Sequence, residues 1–177
     1  MTGHPKCCFY TKLHLLLKDL FVSLNDKKYD LIIFDTFKGE DPPNHVFTEE
    51  AMNETKKILN PGGNIFVNSL GYIEGDAGKA PRSIYKTFLA AGYKVEVLPT
   101  DPDPDQRNLL FYASVEKVKP NSHFIPQTKI DLADAVVLKD EFPTLDILNA
   151  TGAKRWRVQS INVFYSDPNQ RALPLFE

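Results

Sequence analysis

The stretch Tyr29-Asp-Leu-Ile-Ile-Phe-Asp35 decides the fold of this chain. It places four consecutive apolar residues between two aspartates, with no alternation of polar and apolar positions. Such a run is typical of a parallel strand that is buried on both faces, because helices cover each side of a parallel sheet. The sequence therefore predicts a buried strand over residues 30–35, with Asp35 at its carboxyl end.

Helices are predicted on both sides of this strand in the sequence. Apolar residues recur with helical spacing over residues 13–24, which predicts an amphipathic helix before the strand. After the strand, Thr48 is a suitable N-cap for a helix that runs to about Leu59. Asn60-Pro-Gly-Gly63 ends that helix, since proline cannot extend a helix and glycine permits positive φ. A second buried strand is predicted over residues 64–69.

The next part of the chain continues this alternation and then breaks it. A helix is predicted from about Ala80, with Gly92 as the residue just past its end, followed by a third strand over residues 93–98. A fourth strand, over residues 109–115, comes after a polar loop with no helix between. Strands that alternate with helices indicate a parallel sheet, whereas two strands joined by a loop pair antiparallel. The predicted fold is therefore α/β, with a Rossmann-like sheet that is mostly parallel and has an antiparallel last strand.

The C-terminal third of the sequence has weaker patterns. Residues 131–138 indicate a short helix or strand, residues 144–150 a helix, and residues 157–165 a strand. We expect two units, residues 1–118 as part of the Rossmann-like domain and residues 119–177 as an extension that packs on it.

Composition and charge exclude several classes of function. The chain has 177 residues, 42% of them hydrophobic, which is enough to bury the core of one domain. A formal net charge of −2 gives no electrostatic basis for binding nucleic acid or an anionic membrane. No apolar run approaches the roughly 20 residues of a membrane span. Cys7 and Cys8 are adjacent and have no ligand cluster around them, so we expect no disulfide, no metal site and a cytoplasmic location.

Asp35 is the first candidate for chemistry. Ligands of an open α/β sheet bind outside the carboxyl ends of its strands, where Asp35 opens the loop of residues 36–47. A carboxylate at this position projects toward the cleft and is able to accept a proton or bind an amine. The alternative is that Asp35 only caps or stiffens the loop, and its location alone does not decide between the two.

Two adjacent prolines, Pro42 and Pro43, give the same loop a rigid bend. Each proline fixes φ at about −65° and removes a backbone donor. The resulting apolar wall suits packing against a flat ring such as adenine. The alternative is a plain surface turn.

Three stretches together resemble a known family. Residues 29–35, then Phe47-Thr-Glu-Glu50, then Leu59-Asn-Pro-Gly-Gly63 before a strand are similar to the second half of class I S-adenosylmethionine-dependent transferases. Within that superfamily the chain most resembles the spermidine/spermine synthase family, over roughly residues 12–114. Asp140-Glu-Phe-Pro143 is similar to a motif near the C-terminus of longer bacterial synthase-like proteins.

The resemblance implies roles for four residues of the loop. Asp35 takes the place of the family's catalytic aspartate, a general base toward an amine acceptor. Pro42 and Pro43 align with residues that line the adenine pocket, and Thr36 is grouped with them as a cofactor contact. The implied cofactor is S-adenosylmethionine or its decarboxylated form, without a metal.

Two further positions are expected to contact the substrate, and both depart from the family pattern. Lys38 stands where the family has a second aspartate, and Asp101 lies in an acidic loop that replaces the family's aromatic lid. Because a lysine repels an ammonium group, Lys38 argues against spermidine synthesis itself.

The residues before Tyr29 differ most from such a domain. They contain Gly3 alone and no strand–glycine–helix unit, which these folds need to hold a nucleotide. We therefore expect the N-terminal cofactor-binding strands to be absent, in a chain that is truncated, naturally short, or completed by a partner. One hypothesis is an incomplete transferase acting on a small-molecule amine or other acceptor. The other is a non-catalytic interaction or dimerisation module, since an open edge at the 30–35 strand favours a homodimer or a partner chain that completes the sheet.

Overall fold

The structure is a computed structural model that describes residues 7–10, 28–36, 40–116, 118 and 123–166. Within these ranges the chain forms one five-stranded sheet with helices packed against it. The strands are β1 Cys7–Tyr10, β2 Tyr29–Phe34, β3 Leu59–Leu70, β4 Lys94–Pro99 and β5 Asn108–Ser114.

The strand order is β1-β2-β3-β5-β4. Strands β1, β2 and β3 run parallel, and β5 is antiparallel to both of its neighbours. The predicted α/β sheet with an antiparallel last strand is therefore confirmed, including the hairpin between β4 and β5. Because β5 alone is reversed, the carboxyl ends of β2, β3 and β4 lie at one edge of the sheet together with the start of β5. We call this the carboxyl edge.

Strand β1 corrects one expectation from the sequence. Residues Cys7–Tyr10 pair in parallel with Leu31–Phe34, so β2 is an inner strand and its edge is not open. The sequence analysis treated Cys7 and Cys8 as thiols and missed a four-residue run of types that are often buried in strands. The helix predicted over residues 13–24 lies outside the described residues.

The first two described helices form as predicted. Helix α1 spans Glu49–Ile58, and the hydroxyl oxygen of its N-cap Thr48 accepts a hydrogen bond from the backbone amide of Ala51 at 3.2 Å. Helix α2 spans Lys79–Ala90 and is followed by Gly92 at φ +79°. Their inner faces complete a core with the sheet; its largest fully buried side chains include Phe47, Met52, Ile65, Ile84, Phe88, Leu109 and Phe111.

The C-terminal region differs from its prediction. Residues 131–138 form neither a helix nor a strand, because the hydroxyls of α2 take up part of their backbone hydrogen bonding. The amide of Val136 donates to Ser83 Oγ at 3.2 Å, and the amide of Leu138 donates to Thr87 Oγ1 at 2.9 Å. This extended segment thus lies across α2 and reaches the start of α1.

A single helix, α3, spans Leu145–Ser166 and replaces the predicted short helix and the predicted strand over residues 157–165. The β-branched residues of its second half favoured a strand by propensity, but the helix is already nucleated by its docked first turns. Asn44 caps its start, since Asn44 Oδ1 accepts the backbone amide of Leu145 at 2.5 Å. In the described part of the chain no helix, α3 included, is long and apolar enough to cross a membrane.

Helix α3 packs against the loops of the carboxyl edge. Gly152 permits this contact: a Cβ at that position would lie 2.7 Å from the carbonyl oxygen of Ala77, in the loop after β3. Leu145 and Ala153 are buried on the same face. The extension therefore lies beside the loops in which the candidate site is predicted.

Candidate functional site

Asp35 lies at the carboxyl edge, directly after β2, and is exposed. The pairing of Phe34 with Val67 sets Asp35 beside Asn68 of the neighbouring strand β3. Asn68 Nδ2 donates a hydrogen bond to Asp35 Oδ1 at 2.9 Å. This contact fixes one carboxylate oxygen of Asp35. The orientation of the carboxylate is therefore set by the neighbouring strand and not by the loop that follows.

Among the described residues, one oxygen of Asn68 and one of Thr36, the residue after Asp35, have no hydrogen-bond partner. A carboxylate only accepts hydrogen bonds, so the amide NH2 of Asn68 must face Asp35. Asn68 Oδ1 is then left buried and unpaired, and the buried Oγ1 of Thr36 is unpaired as well. Unpaired buried polar atoms are rare in folded proteins. The exposed carboxylate of Asp35 is the acceptor that suits a ligand with N–H or O–H donors.

The diproline bend is held from outside by α3. Pro42 is buried and Pro43 is half-buried, with φ −64° and ψ 125° at Pro43. Asn149 Nδ2 donates to the carbonyl of Glu40 at 3.1 Å and to Asp41 Oδ1 at 2.9 Å. The Asn149 side chain is only 2% exposed, so it fixes the loop just before the bend.

The structure describes one of the two predicted substrate contacts. Lys38 lies outside the described residues. Asp101 is exposed in the loop after β4, and its Oδ1 accepts the backbone amide of Asp103 at 2.8 Å. Strand β4 is three positions from β2, a distance of roughly 14 Å at the usual strand spacing. Asp35 and Thr36 are thus brought together with Asn68, and Asp101 is not.

A second carboxylate at the carboxyl edge, that of Asp105, lies in a cluster of three side chains. Asp105 accepts hydrogen bonds from Arg155 Nε at 2.7 Å and Arg155 Nη2 at 2.8 Å, and its Oδ1 also accepts from the Tyr72 hydroxyl at 3.1 Å. The Arg155 guanidinium lies 4.8 Å from the centre of the Tyr72 ring. Burial, together with the bond to Asp105, raises the pKa of Tyr72 to about 12. We call these three residues the clasp, because they join α3 to the loops after β3 and β4.

The clasp also shifts the protonation of its carboxylate. The hydrogen bonds from Arg155 lower the pKa of Asp105 below its ordinary value of 3.8. Both oxygens of Asp105 are therefore engaged within the chain. Neither Arg155 nor Tyr72 was singled out by the sequence analysis, since their partners are remote in sequence.

Two other features are distant from this chemistry. A groove of about 410 Å3 opens at the opposite edge of the sheet, near the starts of β2 and β3; its lining consists of Lys28, Lys56, Leu59, Asn60, Pro61 and Val115. Among the described residues, no three His, Cys, Asp or Glu side chains converge as metal ligands would.

Comparisons with known proteins give two partial matches, and no protein-family model matches the chain. A polyamine aminopropyltransferase of Vibrio vulnificus (strain CMCP6) is 41% identical over 46 residues, which cover 26% of this chain and 15% of that protein. The structure of MnmC2 from Aquifex aeolicus superposes with a TM-score of 0.49 and 17% sequence identity, over 79% of this chain and 43% of that chain. The matched regions thus cover less than half the length of either protein. The sequence match supports a transferase-like relationship and does not single out one family.

Proposed function

We propose that this chain forms the substrate side of an S-adenosylmethionine-type transferase domain and that Asp35 acts there as the general base toward an amine acceptor. The observation that carries the proposal is the exposed carboxylate of Asp35 at the carboxyl edge, which Asn68 of the neighbouring strand holds by a hydrogen bond. The 46-residue match to an aminopropyltransferase supports the reaction class.

Asp35 and Asn68, the two side chains at the strand ends, have different roles toward the acceptor. Asn68 engages one oxygen of Asp35, so the other carboxylate oxygen accepts a proton from the acceptor nitrogen. Asn68 positions Asp35 through its Nδ2 donor, so that the acceptor nitrogen gives up its proton with its lone pair toward the cofactor. The cofactor, when bound, supplies an electrophilic carbon next to its sulfonium sulfur.

The loop residues fit an adenine-containing cofactor. Thr36 Oγ1 is buried and unpaired among the described residues, and it would bond to a ribose or base if cofactor binding exposes it. Pro43 is only half-buried, so part of its ring remains open to pack against a base, while buried Pro42 supports it. Lys38 and Asp101 remain proposed substrate contacts, and an acceptor that reaches both Asp35 and Asp101 must extend over roughly 14 Å.

The test compares two aspartates at opposite ends of β2. Asp35→Asn in the full chain removes the base, whereas Asp30→Asn alters a carboxylate that pairs with Asn60 at the other end of the strand. Transfer from labelled S-adenosylmethionine or its decarboxylated form to putrescine or spermidine is measured, with nucleotide affinity by calorimetry. We expect Asp35→Asn to lower the rate by about 100- to 10,000-fold with affinity nearly intact, and Asp30→Asn to leave both unchanged.

Two results would contradict the proposal. Equal losses in both variants would show a structural effect of the strand rather than a role for Asp35. If neither S-adenosylmethionine, its decarboxylated form nor methylthioadenosine binds the wild-type chain in roughly the millimolar range, the chain is not a transferase on its own. The second candidate, a non-catalytic interaction module, is favoured by one observation, the exposed apolar residues at the end of α3.

A further inference from the structure

The second half of α3 exposes large apolar side chains on opposite sides of the helix. Val158, Ile161 and Val163 are 51%, 44% and 49% exposed, and Trp156 is 39% exposed. A helix that is apolar on all sides is stable in proteins when it is buried. Concentrated apolar exposure of this kind is typical of an interface.

One of these sides forms a regular stripe along the helix axis. Lys154, Val158, Ile161 and Tyr165 follow one another at intervals of four, three and four residues, which we call the outer stripe. At about 100° per residue these positions lie within roughly 60° of one another. They point about 175° away from the docked face of Leu145, Asn149 and Gly152. The domain on which α3 is docked therefore does not cover the outer stripe.

We infer that the outer stripe binds the outer stripe of a second copy of this chain, with the two α3 helices antiparallel. The four-three-four spacing reads the same in both directions, so a two-fold axis between positions 158 and 161 brings the stripe onto itself. Val158 then lies opposite Ile161 of the other copy, and Lys154 lies opposite Tyr165. This is the self-complementary arrangement that a two-fold interface requires.

The charges of α3 select the antiparallel orientation. Lys154, Arg155 and Arg157 lie within one turn, and the rest of the helix toward Ser166 carries no described charge. A parallel pair would place Lys154, the cation of the outer stripe, against its own copy. In the antiparallel pair Lys154 and its copy are separated by about 16 Å along the axis, beyond the Debye length of about 8 Å at physiological ionic strength. The Lys154 ammonium instead meets the ring of Tyr165, where cation–π attraction adds to the contact.

The same charges disfavour an anionic partner. Arg155 is paired with Asp105, and Arg157 is paired with Glu40, so two of the three cations are already neutralised within the chain. What remains is an apolar stripe with Lys154 at one end. The inference depends on this helix and not on the proposed transferase activity.

The first experiment measures the association state of the full chain by sedimentation velocity, at about 1–100 μM. We expect the wild type to dimerise and Ile161→Lys to raise the dimer dissociation constant by at least about 100-fold. Val163→Lys is the matched control, because it adds the same charge to the same turns on the opposite side of α3, and it should leave the dimer intact. Circular dichroism checks that both variants keep their helix content.

A second pair of variants tests the orientation. Tyr165→Glu places a carboxylate opposite Lys154 in the antiparallel pair and should strengthen the dimer, whereas Tyr165→Lys should weaken it. In a parallel pair both variants would weaken the dimer, since like charges then meet at position 165. A wild type that stays monomeric over the whole range overturns the inference. Loss of the dimer in Val163→Lys but not Ile161→Lys, or binding of a monomer to anionic lipid vesicles, also overturns it.

Discussion

Asp35 and Asp105 both lie in loops that leave the carboxyl edge of the sheet, yet the chain uses them in opposite ways. Asp35 is exposed and accepts one hydrogen bond, from Asn68, with unpaired oxygens around it. Asp105 accepts three hydrogen bonds, two from Arg155 and one from Tyr72. The carboxylate of Asp35 is available to a ligand, whereas that of Asp105 joins α3 to the sheet.

This difference shows that acidity in a loop does not by itself indicate a binding site. The loop of residues 101–105 is the more acidic of the two, with three aspartates. Its most engaged carboxylate nevertheless stabilises the fold, and Asp101 bonds to its own loop. What distinguishes Asp35 is its exposure, together with unpaired buried oxygens on Asn68 and Thr36, which are rare in folded proteins.

The largest loss of stability should come from a substitution that displaces α3 from the loops of the carboxyl edge. Gly152→Val places a Cβ 2.7 Å from the carbonyl oxygen of Ala77, a rigid backbone atom, with two further methyl groups beyond it. We expect the free energy of unfolding to fall by about 3 kcal/mol, as for overpacked cores. Ala150→Val, on the exposed side of the same helix, should cost only about 0.5 kcal/mol through helix propensity. Urea denaturation measures both, and equal losses would mean that the close contact at Gly152 does not hold α3.

Substituting the two carboxylates in turn tests the comparison directly. Asp105→Ala removes the acceptor of the buried Tyr72 hydroxyl and both bonds to Arg155, and we expect a loss of about 1.5 kcal/mol in the free energy of unfolding. Most of this loss comes from Tyr72, since Arg155 is half exposed and regains water. Asp35→Ala should change the same quantity by no more than about 0.5 kcal/mol. Denaturant titrations that rank the variants in the reverse order would contradict the assigned roles.

Sequence reasoning recovered the parts of the fold whose signals are local. The apolar run before Asp35 predicted β2, and Thr48 predicted the start of α1. The strand over residues 157–165 was wrong because the outcome there depends on a distant cap. Asn44 nucleates α3 from 101 positions away in the sequence, and β-branched residues then follow as helix.

The candidate site was predicted only in part, because only some of its residues have a local sequence signal. Asp35 stands at a strand end, a position that the sequence reveals, and its role as a base stays a prediction. Asn68 was missed, although a polar residue near the end of the apolar strand 64–69 was a usable signal. Asn149 and Arg155 depend on contacts between α3 and loops far away in the chain, and no local pattern encodes such contacts.

A smaller effect is expected from the clasp, whose contribution to stability should depend on pH. Because Arg155 lowers the pKa of Asp105 below 3.8, its ionised form contributes stability above that value, and the contribution is lost as the pH falls through the lowered pKa. The stability difference between wild type and Asp105→Asn should therefore be largest near about pH 7 and shrink toward about pH 3. We expect no more than about 1 kcal/mol, since both side chains are partly exposed. In an Arg155→Gln background the pH dependence of this difference should become smaller, leaving the part that comes from the Tyr72 hydroxyl; an undiminished pH dependence would contradict the role given to Arg155.

The smallest effect, a gain rather than a loss of stability, is expected at Thr36, the residue after Asp35. Thr36→Val replaces the hydroxyl, whose buried Oγ1 has no partner, with a methyl group of similar shape. Removing an unsatisfied polar atom is expected to be neutral or to stabilise the fold by up to about 1 kcal/mol, whereas removing a bonded hydroxyl destabilises it. Thr87→Val is the matched control, because Thr87 Oγ1 donates to the carbonyl of Ser83 at 2.7 Å and accepts the amide of Leu138. Thermal unfolding should raise Tm or leave it unchanged for Thr36→Val and lower it for Thr87→Val. A clear loss of stability in Thr36→Val would mean that its hydroxyl is already satisfied within the chain, and the distinction between the ligand-facing and the structural carboxylate would lose its main support.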